Sequence, residues 1–161
     1  MTLRIETATE RDLPTILHLV RELAKYEKLE HAMVASQDDF REALFGAKSN
    51  AHALMAFADD AAVGFALYFF NFSTFSGKRG IYLEDIFVEP EHRGRGIGSA
   101  LLKRLAGIAK QQNCARMEWS VLTWNQPSIA FYHRLGAVTL DDWRIFRLHG
   151  EPLEQLGKDA R

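Results

Sequence analysis

From Leu3 to Ala8 apolar and polar residues alternate, the period-two signature of a strand with one buried face. Thr9-Glu10-Arg11-Asp12 then offers a capping box, after which Leu13, Ile16, Leu17, Val20, Leu23 and Ala24 recur at helical spacing. A second cap signature, Ser36-Gln37-Asp38-Asp39, opens a short helix that Gly46 closes. The period changes at Ala51. His52 to Ala58 and Val63 to Phe72 predict two strands of an antiparallel hairpin, joined by a polar turn at Asp59-Asp60. After a loop from Ser73 to Gly80, Ile81 to Val88 is apolar except for Glu84 and Asp85 and is stopped by Pro90, as in a central strand. Ile97, Leu101, Leu102, Leu105, Ile108 and Ala109 repeat at helical spacing as far as Asn113. Met117 to Val121 predicts another strand, Pro127 to Leu135 a helix closed by Gly136, and Arg144 to Leu148 a last strand before a polar tail.

This order of elements predicts an α/β (α+β) fold, a mixed sheet with helices on both faces. At 161 residues the chain fits a single domain, 1–161, and 47% apolar with 25% charged residues is the balance of a globular protein. The net charge of −1 supplies no general attraction to nucleic acid, so none is expected as a partner. No apolar stretch approaches the roughly 20 residues needed to cross a bilayer, so no membrane partner is expected. A single cysteine, Cys114, and a start without the apolar run of a signal peptide set a cytoplasmic expectation. The six histidines include no pair at zinc-binding helical spacing, and no metal is expected.

The chemistry gathers after the central strand. In Arg93-Gly94-Arg95-Gly96-Ile97-Gly98-Ser99 side chains shrink away where a helix begins, which leaves backbone N–H groups open to an anion. The helix N-terminus and the charges of Arg93 and Arg95 suit a pyrophosphate. A dinucleotide fingerprint would place a third glycine at Ser99 and follow the first strand, and a nucleoside-triphosphate loop needs Gly-Lys before Ser or Thr. Neither spacing is present. His92, beside the loop, reads as a solvated surface histidine.

The run Val88-Glu89-Pro90-Glu91-His92-Arg93-Gly94-Arg95-Gly96-Ile97-Gly98-Ser99 resembles the acetyl-CoA motif of the GNAT superfamily of N-acetyltransferases. Leu23-Ala24-Lys25-Tyr26-Glu27, Tyr82-Leu83-Glu84-Asp85 and Trp124-Asn125-Gln126-Pro127-Ser128 with Phe131-Tyr132 extend the resemblance over nearly the whole chain, toward its diamine (spermidine/spermine) and thialysine N-epsilon-acetyltransferase branch. The resemblance implies a mostly antiparallel central sheet, acetyl-CoA as co-substrate, a small cationic amine as acceptor, and a homodimer. It places Asn125, Ser128 and Tyr132 among the cofactor contacts with Ile86, Phe87, Val88 and Arg93 to Ser99.

Glu84 and Asp85 interrupt a strand that is otherwise apolar, and a buried carboxylate needs a partner. Successive strand residues face opposite ways, so one of the pair serves any one site unless a bulge intervenes. The resemblance assigns Glu84 to the amine, as general base. A primary amine with a pKa near 10.4 is protonated at pH 7, and freeing its lone pair costs about 4 to 5 kcal/mol. A backbone N–H between Ile86 and Val88 is the expected donor to the developing oxyanion. By the same resemblance Tyr132 protonates the departing thiolate; its position alone also suits a core aromatic. Asn125 suits a helix cap, a contact to the pantetheine arm, or both.

Tyr26 and Glu27, with Asp85 and Trp119, are the expected substrate contacts, the first two by resemblance. Polyamine-acetylating members carry an acid in the loop matching Asn71 to Gly77, where this chain has Ser73-Thr74-Phe75. The loss of that charge favours a short diamine, thialysine or a lysine-like amino acid over a long polycation. A peptide-amine acetyltransferase and a non-catalytic acyl-CoA sensor are the rival readings.

Overall fold

A computed structural model describes residues 2–158 and 160. Contacts divide the chain into two compact units, one ending at Leu122 and the other beginning at Thr123. In the first, the strands β1 (Leu3–Thr7), β2 (His52–Ala58), β3 (Ala61–Ser73), β4 (Lys78–Val88) and β5 (Arg116–Trp119) lie side by side in that order. The first four are antiparallel neighbours, and β5 joins β4 in parallel. The helices are α1 (Leu13–Tyr26), α2 (Gln37–Phe45) and α3 (Ile97–Gln111). Among the described residues no helix is long and apolar enough to cross a membrane.

Local signals set most boundaries. Ser36 and Asp39 exchange reciprocal bonds at the start of α2, with Ser36 N–H donating to Asp39 Oδ2 at 2.7 Å and Asp39 N–H to Ser36 Oγ at 3.2 Å. Asp59 and Asp60 take φ of +47° and +73°, which matches the twist of a two-residue hairpin turn. The loop expected from Ser73 to Gly80 is shorter: β3 and β4 stay paired to Ser73↔Lys78, and Gly77 at φ +62° closes the turn. Ladder hydrogen bonds carry the strands past the point where their apolar alternation ends.

The two faces of the sheet bury different partners. Ala53, Met55, Phe65, Leu67 and Phe87 form one core with Leu13, Ile16, Leu19 and Leu23 of α1 and Leu44 of α2. The alternate positions Leu54, Ala66, Ile81 and Leu83 are buried on the opposite face, where α3 packs across the sheet through the side bearing Leu101 and Leu105. Helices thus cover both faces of this unit.

In the second unit α4 (Gln126–Arg134) ends where Gly136 turns at φ +89°. Two expectations fail here. Arg144 to Leu148 forms no strand, because alternation alone gives backbone groups no partner, and Ile145 and Phe146 stand 77% and 93% exposed. The expected polar tail instead contains α5 (Glu151–Lys158), whose Leu153 and Leu156 fall at helical spacing.

Candidate active site

The register of β4 decides where its acids stand. Leu67 faces Asp85 and Tyr68 faces Leu83, so Glu84 is the extra residue of a β-bulge. Asp85 lies on the face of Leu67 and Phe87, toward α1, and is half-buried, whereas Glu84 is exposed. The Asp85 carboxyl is pushed up to about 7, first by burial and then by the charges of Glu84 and Glu27. Glu27, half-buried at the end of α1, is itself raised by burial. Three carboxyl groups therefore share one field. Sequence reasoning favoured Glu84 as the working acid, and the bulge brings Asp85 forward beside it.

The last turn of α1 presents Tyr26 and Glu27 because the chain reverses immediately afterwards. Lys28 adopts φ +60°, and Leu29 N–H donates to Ala24 O at 2.8 Å, closing the helix without a glycine. Trp119 was expected among these residues. It pairs with Leu83, whose side chain belongs to the α3 face, and so points to the other side of the sheet from Asp85. Glu118 shares the face of Tyr82, whose hydroxyl lies 3.0 Å from Ser120 Oγ, and Glu118 also holds Arg116 at 2.9 Å. One sequence cannot reveal which face each residue of a short strand takes.

β5 stops at Trp119 while β4 continues to Val88. Among the described residues no strand pairs with this side of Glu84 to Val88, the segment expected to meet the cofactor. Directly beyond it, Gly94 and Gly96 take φ of +74° and +81° before α3, and a Cβ at either would meet nothing within 4 Å. Their role is the left-handed turn, since no neighbour crowds them. The first bond of α3 runs from Ala100 N–H to Gly96 O, at 2.9 Å, and the N–H groups of Ile97, Gly98 and Ser99 precede it. An exposed, electropositive helix start results, with Arg95 exposed beside it.

Arg93 also makes contacts away from the glycines. Its backbone N–H donates to Pro90 O at 3.2 Å and its Nε to Val88 O at 2.9 Å. The guanidinium carbon sits 4.7 Å from the Tyr26 ring centroid and 5.3 Å from that of Phe87. His92, expected to be solvated, has a side chain only 25% exposed, with Nδ1 3.5 Å from Glu89 Oε2. Glu91 brings a third ligand atom to this group, within 4.8 Å of the other two.

In the second unit Asn125 is buried and its side chain accepts from Ser128 N–H at 3.4 Å, so the capping role read from the sequence is present. Tyr132 lies in α4, its ring 5.4 Å from that of Phe131.

A strand that opens along one edge, runs into a left-handed glycine turn at a helix start and carries an acid cluster offers one place for an anion and another for a cation. The profile described as the acetyltransferase (GNAT) family matches residues 14–137. A thialysine N-epsilon-acetyltransferase of Bos taurus is 40% identical over 163 residues, spanning 94% of this chain and 95% of that protein. Spermidine/spermine N(1)-acetyltransferase-like protein 1 of Homo sapiens is 37% identical over 160 residues, which cover 93% of this chain and 23% of that longer protein. An integron cassette protein from the mobile metagenome of V. cholerae superposes with a TM-score of 0.83 at 29% identity, covering 99% of each chain. This chain belongs to the acetyltransferase (GNAT) family. It is an acetyltransferase, and acetyltransferases of this family use acetyl-CoA as co-substrate.

Proposed function

We propose that the chain transfers the acetyl group of acetyl-CoA to a primary amine of a small cationic molecule, a diamine, thialysine or lysine-like amino acid. The observation that carries this reading is the cluster of Glu27, Glu84 and Asp85 beside the open edge of β4. Three carboxyl groups in one field favour a cation, and the names of the two relatives point to small amines. The pyrophosphate rests on the N–H groups of Gly94 to Ser99, with Arg95 adding charge. The pantetheine arm follows Ile86, Phe87 and Val88, one of whose N–H groups receives the thioester oxygen as it becomes an oxyanion.

Glu84 and Asp85 hold the ammonium and take its proton. Glu84, exposed at the bulge, passes it to solvent through water as general base, and Asp85, near neutrality, is the member whose charge changes in the working range. The amine nitrogen then bonds to the thioester carbon, the carbon–sulfur bond breaks to leave a thiolate, and the nitrogen sheds its second proton, which replaces the one that the sulfur takes. Tyr132 stands at the family's acid position and is assigned the proton for that sulfur. Asn125 and Ser128, by the same correspondence, serve the cofactor. The expectations of a homodimer and of a cytoplasmic, metal-free enzyme without nucleic acid or membrane partners remain part of this reading.

The test is an assay of free thiol release from acetyl-CoA with diamines, thialysine, lysine, polyamines and short peptides. Turnover confined to small amines is the expected result. Turnover on peptides alone would reverse the assignment, and cofactor binding without any turnover would leave a sensor.

A further inference from the structure

We propose that Arg93 is a positioning residue for the acceptor amine, linking the cofactor loop to the last turn of α1 through Tyr26. The inference rests on the reading that the amine lies beside Tyr26, Glu27 and Asp85. Sequence reasoning gave the Arg93 side chain to the pyrophosphate because it adjoins the glycines. The geometry gives it another task.

Both polar functions of Arg93 nearest the loop are committed within the protein: its N–H to Pro90 O and its Nε to Val88 O. The second bond holds the guanidinium against the end of β4. From there it covers the Tyr26 ring at 4.7 Å and the Phe87 ring at 5.3 Å. A planar guanidinium can donate at its edge and attract an aromatic face at once, which an ammonium does less well. One side chain thus joins three elements: the end of β4, the first residue of the glycine loop and the last residue of α1.

The consequence runs through neighbours in sequence. Tyr26 precedes Glu27, whose charge acts on Asp85, and no glycine stiffens or frees the reversal at Lys28. If Tyr26 loses its cationic cover, the final turn of α1 loses one of its ties to β4, beside the core that Leu23 shares with Phe87, and the Glu27 carboxyl is less firmly placed against Asp85. The glycine turn and its open N–H groups, by contrast, do not depend on the Arg93 side chain. The effect of removing it therefore falls on the amine and largely spares the cofactor.

The experiment compares wild type with Arg93→Met, Arg93→Lys, Tyr26→Leu and the Arg93→Met/Tyr26→Leu double variant. Acetyl-CoA Kd is measured by calorimetry, kcat and KM with thialysine as the acceptor probe, and Tm by thermal melting. Arg93→Met should raise the thialysine KM about three- to tenfold while acetyl-CoA Kd stays within about twofold. Arg93→Lys should recover part of the loss, and the double variant should be little worse than Tyr26→Leu alone, because both remove one contact. A weakened acetyl-CoA Kd with unchanged thialysine KM, or fully additive effects, would overturn the proposal and return Arg93 to the phosphate. If Arg93→Met does not fold, Arg93→Lys and Tyr26→Leu decide: a wild-type thialysine KM in either overturns it. Absence of turnover by wild type on every small amine would instead refute the function on which the inference rests.

Discussion

Leu67 lies directly opposite Asp85 across the β3–β4 ladder, and that pairing puts the carboxyl on the face packed by α1. Burial there, with Glu84 and Glu27 nearby, raises Asp85 from an ordinary 3.8 to about 7. The folded chain consequently holds a proton that the unfolded chain releases near 3.8. Stability from this group is fully present below that pH and is lost as pH rises through about 7, by at most about 4 kcal/mol. Asp85→Asn should flatten this part of the stability profile and raise Tm at pH 8. Urea melts at pH 4.5, 6 and 8 measure it; an unchanged pH slope contradicts the assignment.

The same proton should also govern activity. Wild-type kcat/KM should rise with pH through about 7 as Asp85 ionises, and Asp85→Asn should remove that step. Glu84→Gln should instead weaken amine binding or move activity to higher pH, where the free amine is more abundant. Matching pH profiles for wild type and Glu84→Gln would exclude Glu84 as the base.

Tyr132→Phe keeps the ring in α4 and removes the phenolic proton. A fall in kcat of about 10²-fold with acetyl-CoA affinity within about twofold is expected for a general acid. Single-turnover kinetics with calorimetry separate the two effects, and an unchanged kcat removes Tyr132 from the mechanism.

Gly96 stands at φ +81° with open space where a Cβ would point. Gly96→Ala meets no clash but carries left-handed strain, a loss of about 1 kcal/mol. If strain tilts the first turn of α3, acetyl-CoA binding should fall several-fold as well, as calorimetry would show.

Lys28 occupies the same backbone region without being glycine. Lys28→Gly should stabilise the protein by about 0.5 to 1 kcal/mol, read as a higher Tm, because the left-handed position no longer opposes a Cβ. A lower Tm would show that contacts of the Lys28 side chain outweigh the backbone strain.

What the sequence disclosed was mainly local. Alternation, capping boxes and glycines placed α1, α2, α3 and α4 and all five strands to within a few residues, because each signal acts over a few neighbours. The site was less accessible. The bulge at Glu84 depends on which β3 residue lies opposite, the face of Trp119 depends on its pairing with Leu83, and the stacking of Arg93 on Tyr26 joins residues far apart in the chain. Arg144 to Leu148 shows the converse error, since a strand-like pattern without a partner ladder remains irregular.

The end of β5 at Trp119, short of the end of β4, also bears on solubility. An unpaired strand edge is a template for association with other chains, and proteins blunt such edges with charge and with bulges that twist them. At Glu84 and Asp85 this edge carries both devices. The acids proposed to hold the amine should also repel an intruding strand, so neutralising both together should promote aggregation as well as slow acetyl transfer.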